Sequence, residues 1–149
     1  MPRRAVLLAI FLTFLCWLAP VSAESPRDIL VIVNGSVKGE KLSVNELREI
    51  FLKKRTTWGS GVRAVPIHST NSALRDDFRQ RVLQMSESEE ERYWQQYQIQ
   101  KGEAKPVSFG NTLKAVFQLK GAVSYIYRSD YREGVTNVVL TLPASATNN

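Results

Sequence analysis

Short apolar runs and helix-like repeats alternate along this chain. The run ILVIVN (29–34) is rich in β-branched residues and ends at Asn34-Gly35-Ser36, a pattern typical of a buried strand followed by a turn. Further strands are predicted at VRAVPI (62–67), AVSYIY (122–127) and VTNVVLTL (135–142).

Four segments between these strands have the caps and the spacing of helices. The first begins with a capping box at Ser43 and Glu46, and Gly121 is expected to stop the last. The apolar face of the first helix is Leu47, Ile50 and Phe51, and that of the second, from Ser72 to about Leu83, is Leu74, Phe78 and Val82. The third helix, within 86–99, has Tyr93, Trp94 and Tyr97 on its apolar face. The fourth follows a cap at Asn111 or Thr112 and has Leu113, Val116 and Phe117. Strands separated by helices predict an α/β domain with a mainly parallel sheet.

The N-terminal residues have the layout of a secretory signal peptide. Arg3 and Arg4 precede an apolar run at 5–19, Pro20 breaks it, and Val21-Ser22-Ala23 ends it with small residues. An uncleaved membrane anchor is the alternative, but the run is short for a membrane span. We therefore expect cleavage after Ala23, a periplasmic α/β domain at 24–142, no stable membrane insertion afterwards, and a loose polar tail at 143–149.

Composition narrows the class of protein further. The only cysteine, Cys16, lies within the apolar run, so the cleaved domain must be held by its core without disulfides. The formal net charge of +6 falls to +4 once Arg3 and Arg4 leave, which is a mild preference for anions. There is no lysine- or arginine-rich block with interleaved aromatics, so nucleic acid is not an expected partner.

The stretch HSTNSALRDDF (68–78) is the main candidate for a binding site. It follows a predicted strand and opens a helix, where free backbone N–H groups and the helix dipole favour anions. Ser69, Thr70, Asn71 and Ser72 offer polar side chains, and Arg75 offers a charge one turn later. Ser36, after the first strand, is expected to close the site from a neighbouring strand end. The simpler interpretation is an ordinary capped helix with Arg75 solvated or paired with Asp76 or Asp77.

Other chemistry has weaker support. His68 is the only histidine and has no recognisable nucleophile to serve, so no enzyme activity, metal site or cofactor is predicted. The acidic run at Glu87, Glu89, Glu90 and Glu91 is interpreted as a solvated first helical turn, and Lys53-Lys54-Arg55 as a basic helix end. Trp58, Trp94 and Tyr125 are expected to be packing residues.

Four segments in order resemble the periplasmic phosphate-binding proteins of ABC transporters, especially their short single-domain relatives. They are LSVNELREIFLKKRTTWGSG (42–61), VPIHSTNSALRDDF (65–78), YWQQYQIQKGEAKP (93–106) and GAVSYIY (121–127). The resemblance implies a single periplasmic-binding-protein-like (type 2) lobe, with a mixed, mainly parallel sheet flanked by helices.

The resemblance also implies a ligand. The family holds phosphate with a Ser-Gly-Thr loop, of which Ser72 matches the serine while Ala73 and Leu74 replace the other two residues. Ser69 stands where the family has an arginine, which Arg75 is a candidate to replace. The acidic residue that accepts a proton from phosphate has no evident counterpart.

Two functions therefore stay open. One is an exported, non-catalytic domain that binds phosphate or a similar oxyanion and serves an ABC permease or a sensor. The other is a periplasmic interaction module that keeps the fold, has lost ligand binding, and binds an envelope protein or a sensor domain.

Overall fold

The computed structural model describes residues 24–144. The predicted signal peptide (1–23) and positions 145–149 of the predicted tail lie outside the described residues. Of the predicted tail, Pro143 and Ala144 are described, and both make hydrogen bonds. The Pro143 carbonyl accepts from the Arg81 guanidinium, and the Ala144 N–H donates to Asp28 Oδ1 at 2.7 Å. Between residues 24 and 144, no helix has the length and apolar character needed to cross a bilayer.

Five strands and four α-helices alternate along the described part of the chain. The strands are β1 (Ile29–Val33), β2 (Val65–Ser69), β3 (Val107–Phe109), β4 (Ala122–Tyr127) and β5 (Asn137–Leu142). The helices are α1 (Val44–Phe51), α2 (Ser72–Phe78), α3 (Glu87–Lys101) and α4 (Thr112–Gln118). A wider π-helical segment (Arg79–Leu83) continues α2, and a short 3₁₀ turn (Arg128–Asp130) follows β4.

The strands form one sheet in the order β3-β2-β4-β1-β5. β2 runs parallel to β3 and β4, whereas β1 runs antiparallel to β4 and β5. Four of the strands thus point in one direction and β1 points in the other. This confirms the predicted fold class, a mixed and mainly parallel sheet flanked by helices.

Helices cover both faces of the sheet. Leu47, Phe51, Leu74, Phe78 and Trp94, from α1, α2 and α3, pack in one cluster with Val31 and Tyr125 of the sheet. Ala115 and Val116 of α4 pack on the other face, in a cluster with Ile32, Ile67 and Ile126. Both clusters lie within residues 29–142, so residues 24–149 contain the complete core described here.

Most predicted elements are confirmed with small shifts of their ends. The capping box of α1 is present: Ser43 Oγ accepts from the Glu46 N–H, and the Glu46 carboxylate accepts from the Ser43 N–H. Asn111 caps α4 through the Lys114 N–H. The segment predicted as one helix from Ser72 to about Leu83 is helical throughout, with its last five residues in the π form.

Strand β3 has no counterpart among the predicted elements. It is three residues long, and all three are exposed. A strand this short at the edge of a sheet has neither the length nor the alternation of buried and exposed positions that a sequence pattern can detect.

Candidate functional site

The β2–α2 loop, at the carboxyl end of β2, is organised by its own polar side chains. Ser69 is nearly buried, and its Oγ accepts from the Asn71 N–H at 3.1 Å. Asn71 Oδ1 then accepts from the Leu74 N–H at 3.2 Å, which makes Asn71 the cap of α2. Thr70, Asn71 and Ser72 are exposed. The loop therefore has a fixed shape and an open polar surface.

The loop after β3 lies directly beside it. The Thr70 N–H donates to the Phe109 carbonyl at 3.4 Å, and a Cβ placed on Gly110 would lie 3.5 Å from Thr70 Oγ1. Gly110 is followed by Asn111, the cap of α4. We call the space between loops 69–72 and 109–112 the crevice.

The connections that leave β2 and β3 diverge at the crevice. α2 packs on one face of the sheet and α4 on the other, although β2 and β3 are adjacent and parallel. In open α/β sheets such a divergence outside the carboxyl ends of two strands forms the usual ligand crevice. The asparagine caps satisfy one first-turn N–H group of each helix, those of Leu74 and Lys114. The N–H groups before them have no intrahelical partner.

The structure places Arg75 in an ion-pair cluster. Its Nη2 lies 2.8 Å from Glu90 Oε1, and Arg79 Nε lies 2.7 Å from Glu90 Oε2. The predicted alternatives for Arg75, pairing with Asp76 or Asp77 or free solvation, are wrong. Asp76 pairs instead with Arg79 at 2.6 Å, and Asp77 accepts from the Tyr127 hydroxyl.

Glu90 departs from the prediction of a solvated acidic turn. Glu87, Glu89 and Glu91 are exposed as expected, but Glu90 is only 4% exposed. The reason is helical spacing, because Glu90 lies one turn before the buried Trp94 and so points to the same side of α3. Arg75 and Arg79 are likewise four residues apart on α2 and its continuation. The four-residue spacing of Glu90 and Trp94, and of Arg75 and Arg79, could have indicated the cluster from the sequence. The sequence analysis did not predict it.

A buried polar pair lies next to this cluster. His68 Nδ1 is 2.9 Å from the Tyr125 hydroxyl, and His68 Nε2 is 4.0 Å from Glu90 Oε1. Burial lowers the pKa of His68 well below 6.5, and the nearby charges of Arg75, Arg79 and Lys105 lower it further. Burial also raises the pKa of Tyr125 far above its usual value. Both groups are therefore neutral at physiological pH and act as packing and hydrogen-bonding residues.

This environment of His68 predicts an acid-sensitive fold. Because the folded state keeps His68 neutral while the unfolded state takes up a proton near pH 6.5, stability is complete above that pH and falls below it. Between about pH 6.5 and 5.5 the free energy of unfolding is expected to drop by about 1 kcal/mol. Denaturant unfolding of residues 24–149 over this range measures the slope. His68→Gln should remove it, since this is the only histidine of the chain; an equal slope in the variant contradicts the assignment.

Ser36 lies at the opposite end of the sheet from the crevice. β1 is antiparallel to β4, so the end of β1 at Val33 pairs with Val123 near the start of β4. Ser36 Oγ accepts from the Gly121 N–H at 3.0 Å. The expectation that Ser36 closes the site from a neighbouring strand end is therefore wrong, because it assumed that β1 runs parallel to β2.

A cavity of about 390 Å³ lies beside the ion-pair cluster. Its charged lining residues are the cations Arg75, Arg79 and Lys105 and the carboxylates Glu87, Glu90 and Glu91. Equal numbers of opposite charges give it no preference for an anion. Within residues 24–144, no group of three or more histidine, cysteine, aspartate or glutamate residues is placed to hold a metal ion.

Comparison with known proteins shows that this chain is similar in fold to two solved structures. No protein-family model and no curated protein matches the chain. An ABC-type phosphate transport receptor from Vibrio cholerae matches 77% of this chain and 47% of that chain, with a TM-score of 0.57 and 12% identity. A structure from Clostridium perfringens, described as a phosphate ABC transporter substrate-binding protein with bound phosphate, matches 76% of this chain and 45% of its own, with a TM-score of 0.55 and 18% identity. This chain spans about half the length of both receptors, and at these identities the likeness is one of fold.

Proposed function

We propose that residues 24–142 form a single-lobe, solute-binding-like domain that holds phosphate or a related oxyanion in the crevice without chemistry. The observation that carries this proposal is the divergence of two asparagine-capped helices at the carboxyl ends of the adjacent parallel strands β2 and β3. The N–H groups that the two caps leave unbonded are the donors proposed for the anion, without a metal ion. The two receptors of similar fold are both named for phosphate transport, which supports phosphate as the first ligand to test.

The residues of the β2–α2 loop have different roles in this proposal. The exposed hydroxyls of Thr70 and Ser72, with the first N–H groups of α2, contact the anion. Ser69 and Asn71 hold the loop in shape through the hydrogen bonds described above. Ser36 has no role, since it lies at the other end of the sheet. Arg75 is given no contact with the anion, because its guanidinium is already paired with Glu90.

The crevice is an open site, which sets the expected affinity. An anion bound there keeps part of its hydration, and each contact is weaker than in an enclosed site. We therefore expect binding in the micromolar to millimolar range. We further propose that the chain is exported, is cleaved after Ala23, and presents its ligand to an ABC permease or a periplasmic sensor.

Calorimetric titration tests the binding site. Residues 24–149 titrated with phosphate at low salt should show saturable heat, with sulfate as the comparison anion. The double variant Thr70→Ala/Ser72→Ala should bind about tenfold or more weakly, because hydrogen bonds to a charged group are worth about 1.5–3 kcal/mol each. Ser60→Ala, an exposed serine in another loop, is the matched control and should titrate like the parent.

A flat titration would reject the proposal. If millimolar phosphate produces neither heat nor a rise in melting temperature, loop 69–72 is only a helix start. The second function, an interaction module that has lost ligand binding, would then take its place. The neutralised Arg75 already fits that second function, because the one cation predicted for the site is engaged elsewhere.

A further inference from the structure

A long stretch of this chain contains no acidic residue. Residues 104–129 include Lys105, Lys114 and Lys120 but neither aspartate nor glutamate. This stretch forms β3, α4 and β4. A surface built from it is cationic by sequence, without any carboxylate of its own to offset the lysines.

The same stretch exposes large apolar side chains. The exposed fraction is 56% for Val107, 42% for Phe109, 61% for Phe117 and 40% for Leu119. Single exposed apolar residues are ordinary on protein surfaces, but four within thirteen positions form a concentrated feature.

These side chains belong to one side of the molecule. Val107 pairs with Ile67, and Phe109 pairs with Ser69 two residues further along the same strand. Ile67 packs in the cluster that contains Ala115 and Val116 of α4. Since cross-strand partners project to the same face of a sheet, Val107 and Phe109 project to the face that α4 covers.

Helical spacing places a lysine and an aromatic residue together on the outer side of α4. Thr112, Ala115 and Val116 are its buried residues. Lys114 and Phe117, three residues apart, therefore lie on the opposite, solvent-facing side. Leu119 and Lys120 follow directly at the end of the helix. We call Val107, Phe109, Phe117 and Leu119, with Lys114 and Lys120, the β3–α4 face.

The lysines of this face have no intramolecular carboxylate partner. Among residues 24–144, the one lysine that forms an ion pair within 4.0 Å is Lys53, which pairs with Glu103. Lys114 and Lys120 are exposed, and their charge is available to an anionic partner. Lys105 is not counted, because it lines the cavity that also holds Glu87, Glu90 and Glu91.

We propose that the β3–α4 face docks on the surface of an anionic phospholipid bilayer. Apolar side chains interleaved with lysines are the pattern of interfacial membrane binding, in which the rings enter the headgroup region and the ammonium groups stay with the lipid phosphates. The apolar side chains and the lysines are spread over a helix and an exposed edge strand. Such a distribution suits a lipid surface, whereas a protein partner would have to match a particular shape. Docking is peripheral and reversible, since two lysines and four partly exposed side chains provide modest binding.

This proposal can be tested separately from the oxyanion site, although Phe109 adjoins both surfaces. The crevice lies at the carboxyl ends of β2 and β3, whereas Phe117 and Lys120 lie toward the other end of α4. Variants can therefore separate the two. Thr70→Ala/Ser72→Ala should leave membrane binding unchanged, and Phe117→Ser should leave the phosphate titration unchanged.

Vesicle co-sedimentation tests the proposal with residues 24–149, which lack the apolar segment 5–19. Vesicles of phosphatidylglycerol and phosphatidylcholine in equal parts should bind the protein at low salt, and pure phosphatidylcholine should not. Salt at about 0.5 M should release it, because screening shortens the reach of the lysines. Lys114→Gln and Lys120→Gln should each weaken binding roughly fivefold, and Phe117→Ser about tenfold.

Matched variants on another surface serve as controls. Ile99→Ser removes the most exposed large apolar side chain, at 85% exposure, from α3, which packs on the other face of the sheet. Lys54→Gln removes an exposed charge outside the β3–α4 face. Both should bind vesicles like the parent.

Three results would overturn the proposal. The first is absence of binding to the anionic vesicles, and the second is equal binding to the neutral vesicles. The third is a loss of vesicle binding in the control variants as large as that in the variants of the β3–α4 face. Analytical ultracentrifugation without lipid supplies a further check. A dimer that Phe117→Ser dissociates would assign the face to a second copy of the chain instead.

Discussion

Glu90→Gln is expected to lower the free energy of unfolding of residues 24–149 by about 3 kcal/mol. The variant keeps the shape of the side chain but removes the negative charge between Arg75 and Arg79, leaving two cations next to each other and to His68. Loss of one member of a buried ion pair costs about 3–5 kcal/mol. The lower end applies here because the side chains of Arg75 and Arg79 are 18% and 12% exposed, so water screens part of the repulsion.

Glu91→Gln is the matched control, since Glu91 is the next residue on α3 and is exposed. Its effect should stay within about 0.5 kcal/mol. Denaturant unfolding of both variants and the parent gives the comparison. Similar stabilities for Glu90→Gln and the parent would mean that the cluster contributes no net stability.

This cluster also changes how Arg75 should be tested. Arg75→Ala would leave the buried Glu90 with Arg79 as its one close arginine partner, so the variant would lose stability whether or not Arg75 binds an anion. A fall in phosphate affinity in that variant could not be assigned to a lost contact. Thr70 and Ser72 are better positions, because both are exposed at the crevice.

Gly121→Ala is expected to lower the free energy of unfolding by about 2–5 kcal/mol, from a left-handed backbone of about 1–2 kcal/mol and a steric overlap of about 1–3 kcal/mol. Gly121 has φ +75°, and a Cβ there would lie 2.0 Å from the Arg63 carbonyl oxygen. The Gly121 carbonyl also accepts from Trp58 Nε1 at 2.8 Å and from the Val65 N–H at 3.0 Å. Any shift of the backbone at Gly121 that relieves the overlap would disturb the hydrogen bonds from Trp58 and from Val65, the first residue of β2.

Gly39→Ala separates the two costs. Gly39 has a similar φ of +69°, but a Cβ there has no heavy atom within 4 Å. Its expected loss is therefore about 1 kcal/mol, from backbone conformation alone. Thermal unfolding of the two variants should show a much larger decrease for Gly121→Ala, and equal decreases would contradict the role of the Arg63 contact.

The fold could be predicted from local patterns because each long element has its own signal. The capping box at Ser43 and Glu46, the β-branched run of β1 and the four-residue repeat of α2 each act within a few residues. Strand direction has no such local signal. The pattern of β1 is the same whichever way it pairs, so the position of Ser36 was predicted at the wrong end of the sheet.

The candidate site was harder to predict because its parts come from distant segments. Gly110 and Asn111 adjoin loop 69–72 only because β3 pairs with β2, and β3 is too short to be recognised. The partner of Arg75 is fifteen residues away on another helix. Helical spacing indicates which side of each helix is buried, but it does not indicate which two helices meet.

The place of β1 in the sheet affects the order in which the chain can fold. β1 is the first of the five described strands to be synthesised, and its two neighbours in the sheet, β4 and β5, are the last two. Val31, for example, pairs with Tyr125 and Leu140. The five apolar residues of β1 therefore stay without strand partners until β4 and β5 have been made. Folding should be slow, as expected for pairings between distant segments. Until then β1 is an unpaired apolar segment that is prone to aggregate, and a chaperone that binds it would keep the chain unfolded until β5 is made.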